Sequence, residues 1–209
     1  MVAGIALIGS AAKAQPNLVS NGGFELPVLS GAYSSFNFNN QGLTNWTILS
    51  VNNVNSNVEL IRTYWQPSEG AQSLDLNGSR DGGISQLIAT SPGQLYQVAF
   101  DLSINPDAAG GANRTVDVQF GSFATSYTIT KTTQTRADMQ WQPTTFFFTA
   151  TSNSTLLQFV SNNTPSTSPY GVTLDNVKVV AAPEPGSIAL SALGLVPLAG
   201  LVLRRRRTA

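Results

Sequence analysis

Apolar and polar residues alternate along Leu95–Ser103. Tyr96, Val98, Phe100 and Leu102 interleave with Gln97, Ala99, Asp101 and Ser103. A period of two sends one set toward a core and the other toward water, which predicts a half-buried strand. Thr115–Phe120 repeats the pattern with Val116, Val118 and Phe120 inward. Shorter β-rich runs occur at Leu18–Ser20, Trp46–Leu49, Val58–Arg62, Gln72–Leu76, Ile84–Ile88, Ala124–Thr130, Thr145–Thr149, Thr155–Val160 and Val172–Val179. Turn signals separate them at Asn77-Gly78, Asp81-Gly82-Gly83 and Ser91-Pro92-Gly93, with a longer loop from Asn105 to Asn113. No long stretch between Gln15 and Ala182 carries the 3.6-residue period of a helix. Some ten short strands in one segment predict an all-β domain over 15–182, a single β-sandwich of jelly-roll type.

One strand breaks its own pattern. In Val172–Val179, Val172 and Leu174 share one parity, while Val177 and Val179 share the other. The switch falls at Asp175-Asn176 and predicts a bulge that re-aims a side chain.

Composition narrows the chemistry. The chain has no cysteine and no histidine. That removes disulfides, a thiol nucleophile, Cys- or His-ligated metals and Ser-His-Asp catalysis. Charged residues make up 11%, less than half of the roughly 25% usual in soluble domains. The formal net charge of +0 averages unlike segments: Gln15–Ala182 holds six basic and ten acidic residues, a net of −4. An acidic domain lacks the basic face that phosphate binding needs, so nucleic acid is not an expected partner.

The two ends read as addresses. Residues 1–14 form a short apolar run closing on Ala12-Lys13-Ala14, the A-x-A pattern of a signal peptide cleaved after Ala14. No basic segment precedes the run, as in a leader truncated at its start. At the other end, Pro183-Glu184-Pro185-Gly186 precedes an apolar run that ends at Arg204-Arg205-Arg206-Arg207. Ile188–Leu203 would be roughly 24 Å long as a helix, close to the roughly 30 Å of a hydrocarbon core, and the arginines would stay cytoplasmic. This three-part tail over 183–209 resembles the PEP-CTERM sorting signal. The resemblance implies a transient transmembrane anchor, processing by a membrane exosortase near Pro183-Glu184-Pro185, and an exported protein at the surface or in the extracellular matrix of a Gram-negative-type bacterium.

The central domain carries a second resemblance. Its pieces, in order, are Asn17-Leu18-Val19-Ser20-Asn21-Gly22-Gly23-Phe24-Glu25, Trp46, Val58-Glu59-Leu60, Glu69-Gly70-Ala71-Gln72-Ser73-Leu74-Asp75-Leu76, Gly83-Ile84-Ser85-Gln86, Thr90-Ser91-Pro92-Gly93-Gln94-Leu95-Tyr96 and Gly171-Val172-Thr173-Leu174-Asp175-Asn176-Val177-Lys178-Val179. Together they resemble the DUF642 family, in its choice-of-anchor C branch, and the opening resembles galactose-binding-like carbohydrate modules. The resemblance implies an extracytoplasmic sandwich and a polysaccharide or cell-surface glycan as partner. It also implies that Glu25 and Asp175 supply ligands to a structural Ca²⁺, a cation that takes oxygen donors. The competing reading makes both residues capping or turn acceptors without metal.

Four further residues are candidates for sugar contact. Tyr64-Trp65 stands beside the loop Gln66-Pro67-Ser68-Glu69-Gly70, where a ring could stack on the apolar face of a pyranose. Buried anchoring is the alternative, since Trp is usually mostly buried. Asp75 and Asn77 alternate with Leu74 and Leu76, so they belong to the non-core face and could bond sugar hydroxyls; a solvated strand and turn is the alternative. Trp46 is expected in the core. Tyr33, Phe36 and Phe38 fit either packing or ligand contact. No G-x-S-x-G, P-loop, dinucleotide or H-E-x-x-H motif is present, so no catalytic residue is assigned. Three functions remain, each with a signature. A sugar binder shows exposed aromatics beside polar acceptors in one groove. A structural matrix protein shows an apolar patch or unpaired edge. An enzyme shows two close carboxylates in a pocket, with a perturbed pKa.

Overall fold

The computed structural model describes residues 15–39, 42–52, 56–163 and 168–183. The expected leader (1–14), Glu184, Pro185 and the arginine run 204–207 lie outside them; Pro183 lies within, past the last strand. No helix of the described residues is long and apolar enough to cross a membrane.

Eleven strands run in order: β1 (Tyr33–Asn37), β2 (Thr47–Ile48), β3 (Asn57–Ile61), β4 (Ser73–Asp75), β5 (Gly83–Ala89), β6 (Leu95–Ile104), β7 (Asn113–Phe120), β8 (Phe123–Thr130), β9 (Gln142–Thr149), β10 (Ser154–Ser161) and β11 (Val172–Ala181). They form two antiparallel sheets, ordered β1-β3-β4-β11-β6-β9 and β2-β5-β10-β7-β8. Alternation builds the interior between them. Val98, Phe100 and Leu102 of β6 meet Val116, Val118 and Phe120 of β7 and Leu157 and Phe159 of β10 in one core. Trp46 is buried there, stacked on Phe24 with centroids 5.6 Å apart.

The chain ends are tied together. Leu18 N donates to Val179 O at 2.8 Å, and Val177 N donates to Gly22 O at 2.9 Å. The expected strand Leu18–Ser20 makes the first of these bonds and Gly22 accepts the second; the segment forms no ladder and is not a strand. In its place β1 forms the sheet edge, a strand whose Ser- and Asn-rich sequence hides its period.

The bulge falls where parity switches. The β11–β6 register breaks between Asp175 and Lys178, and Asn176 sits at φ 55°, a left-handed conformation that asparagine tolerates better than most residues.

The six-stranded sheet has a covered outer face. Residues 62–72 and 131–141 cross it, and Ile61, Trp65 and Met139 form a second small core there, flanked by Tyr64 and Trp141. Arg62 donates to Leu29 O and Ser103 Oγ to Met139 O, holding the cover down. This cover decides which polar side chains stay accessible.

Candidate functional site

A groove of about 140 Å³ opens where the cover ends. Tyr33, Glu59, Tyr64, Asp107 and Tyr170 line it, with Asn105 and Trp65 deeper. Tyr33 is 54% exposed and Tyr170 38%, so two rings stand open at its mouth. Tyr64 meets Tyr33 edge-on, with centroids 5.6 Å apart.

A clamp fixes Tyr64. Its hydroxyl donates to Asp107 Oδ2 at 2.6 Å. Arg136 donates to the same carboxylate through Nη2 at 2.7 Å and Nε at 3.2 Å, and its guanidinium carbon lies 3.9 Å from the Tyr64 ring centroid. The hydrogen bond to Asp107 pushes the Tyr64 phenol up, and Arg136 beside Asp107 holds that carboxyl below the usual carboxylate range. The ion pair is solvent-exposed, so it orients more than it stabilises.

Beside the clamp stand two carboxyls with no basic partner. Glu59 and Asp75 are directly opposite across β3 and β4. Burial pushes Glu59 up, against the hydroxyl of Ser35, which donates to Oε1 at 2.8 Å. Asp75 is fully buried, and burial pushes it far up. Its oxygens accept from Asn77 N at 2.8 Å and Asn105 Nδ2 at 2.7 Å.

The structure therefore revises the four sugar candidates. Of the four, Tyr64 and, deeper, Trp65 line the groove. Trp65 is 4% exposed, with Nε1 donating to Ser73 Oγ at 2.9 Å, so its ring is packed under the cover and not offered to a ligand. Asp75 and Asn77 lie on the non-core face, as alternation predicts, but the cover and neighbouring loops seal that face. Asn77 donates to Asp81 Oδ1 at 3.0 Å and to Ser168 O at 2.8 Å, and accepts from Ser161 Oγ. It knits loops together.

Glu25 and Asp175 serve one loop from two sides. Glu25 Oε1 accepts from Ala71 N at 2.8 Å and Gln72 N at 3.0 Å. Asp175 Oδ2 accepts from Ser68 N at 2.8 Å and Glu69 N at 3.0 Å, and Oδ1 accepts from Asn176 N at 2.7 Å. Burial still pushes Asp175 up to about 7. A hard cation takes six or more oxygens. Among the described residues no three Asp or Glu gather to hold one, although Asn176 Oδ1 is a buried acceptor without a donor. As arranged, the oxygens of Glu25 and Asp175 anchor the loop through its N–H donors. Chelator is accordingly expected to leave thermal melting unchanged, and a Ca²⁺-dependent rise of several degrees would contradict this.

Sequence reasoning missed Glu59, Asp107, Arg136 and Tyr170 as site residues. Glu59 left a signal, a lone charge mid-strand between core residues Val58 and Leu60. Asp107 and Arg136 left none, because they lie in separate loops 29 residues apart.

The family model described as "Protein of unknown function (DUF642)" matches residues 17–180. Halomucin of Haloquadratum walsbyi (strain DSM 16790 / HBSQ001) is 33% identical over 187 residues, which cover 88% of this chain and 2% of that protein. The chain thus spans a small fraction of the curated relative it matches. Among solved structures, TmCBM61 in complex with β-1,4-galactotriose is similar with a TM-score of 0.47 at 12% identity, covering 80% of this chain and 99% of that one. The CBM22-1 xylan-binding domain from Paenibacillus barcinonensis Xyn10C gives 0.45 at 15%, covering 83% and 99%.

Proposed function

Starting from a chain that belongs to the DUF642 family, a family described as of unknown function, we propose that its groove binds carbohydrate. The observation that carries this is the pairing, in one groove, of the open rings of Tyr33 and Tyr170 with the acceptor Glu59. A pyranose presents apolar C–H faces and a rim of hydroxyls. A site for it combines aromatic surface with a few placed polar groups, the general design of small-ligand sites. The wider proposal is an exported surface or matrix protein holding exopolysaccharide or cell-wall glycan, its leader and tail removed during export and exosortase processing.

We read the groove as non-catalytic. Glu59 pushed up and Asp107 held down resemble an acid–base pair. Both oxygens of Asp107, however, already accept from Arg136 or Tyr64, which leaves it poorly placed to take a proton or attack a sugar. A structural matrix role without sugar is the second reading. Its apolar patch would be Leu87 and Leu156, both exposed and directly opposite on the five-stranded sheet.

Tyr33→Ala tests the proposal. The ring is mostly exposed, so stability should change by no more than about 0.5 kcal/mol. Glycan affinity should fall about tenfold, the equivalent of about 1.4 kcal/mol. Affinity electrophoresis through gels containing soluble polysaccharide reads this directly. Equal retardation of both proteins would remove Tyr33 from the site.

A further inference from the structure

We propose that the groove recognises an amino sugar, with the ligand's ammonium seated on Glu59 between tyrosine rings. This rests on the carbohydrate reading and narrows it.

Glu59 lines the groove, with Asp75 directly opposite it on the neighbouring strand. The donors to this pair are neutral: a serine hydroxyl to Glu59, and amide N–H groups to Asp75. No basic side chain pulls either carboxyl down. The neighbouring guanidinium, Arg136, is committed to Asp107 and to the ring and hydroxyl of Tyr64.

Such a wall selects its ligand by sign. A half-buried carboxylate costs free energy unless something positive meets it. Tyrosine faces also attract cations. A protonated amine on a sugar supplies that charge and keeps the C–H face that Tyr33 or Tyr170 would stack on. A uronate would bring a like charge beside Glu59 and Asp107.

Calorimetric titration of the protein with three oligosaccharides of equal length decides the matter: glucosamine, N-acetylglucosamine and galacturonic acid, at a pH that keeps the amine protonated and Glu59 ionised. The expected result is about tenfold or more tighter binding of the glucosamine oligomer than of its acetylated form, as for a charge-assisted hydrogen bond. Glu59→Gln should erase that preference, and galacturonate should bind weakest. Equal or tighter binding of the acetylated oligomer, or tightest binding of galacturonate, would overturn the amino-sugar assignment and leave the carbohydrate reading standing. No saturable binding of any of the three to folded protein would overturn both. The wild-type comparison decides even if Glu59→Gln folds poorly.

Discussion

Replacing Trp65 with alanine is expected to destabilise the protein by about 3–5 kcal/mol, the range for truncating a buried aromatic. The indole is the largest member of the small core under the cover, packed with Ile61 and Met139 and edge-on to Tyr64 at 5.8 Å. Its removal opens a cavity that so few neighbours cannot refill. It also strips Ser73 Oγ of the N–H that donates to it. Tyr64 loses its backing, so groove binding should weaken as a consequence of the fold and not of a lost ligand contact. Urea unfolding checks this: the midpoint should drop with little change in slope. Trp65→Phe should recover part of the loss. A change below about 1 kcal/mol would mean the cover is not anchored here.

Raising the pH from 5 to 8 is expected to lower the melting temperature. Asp175 is pushed by burial from 3.8 to about 7 in the folded protein, and Asp75 is pushed up in the same direction. Between roughly pH 4 and 7 the folded state therefore holds protons that the unfolded chain has released. The stability they contribute is fully present below the unfolded pKa and is lost as pH rises through the folded one. At about 1.4 kcal/mol per pKa unit, Asp175 alone accounts for up to about 4 kcal/mol. Asp107, held low by Arg136, acts with the opposite sign but is partly exposed and contributes little. Melting curves at pH 5, 6.5 and 8 test the claim, and Asp175→Asn should flatten the trend. A melting temperature that stays constant or rises over this range would contradict it.

Much of the fold was legible because a strand writes its burial into a period of two. The alternation in β6 and β7 located the core, and the parity switch at Asp175-Asn176 located the bulge. Alternation also put Asp75 and Asn77 on the non-core face. It carried no information on whether that face meets water, because the cover comes from irregular segments with no period. The same gap explains Trp65: an aromatic beside a Pro/Gly loop reads alike whether the loop lies over the sheet or stands away from it. Glu25 and Asp175 were legible as special acidic positions, and their shared hold on the loop 68–72 emerged only in three dimensions. The clamp of Tyr64, Asp107 and Arg136 depends on two loops meeting, which no local pattern encodes.

The most direct test of the central claim is to map where a bound oligosaccharide lands, by amide chemical-shift perturbation during titration. Binding in the proposed groove predicts the largest shifts at residues 33, 59–64, 105–107 and 170–171. A second depression of about 390 Å³ lies on the five-stranded sheet, lined by Asp117, Gln119, Ser126 and Gln158 and containing no aromatic side chain. Shifts confined to those four residues and their neighbours would contradict the account and move the site to the opposite side of the sandwich.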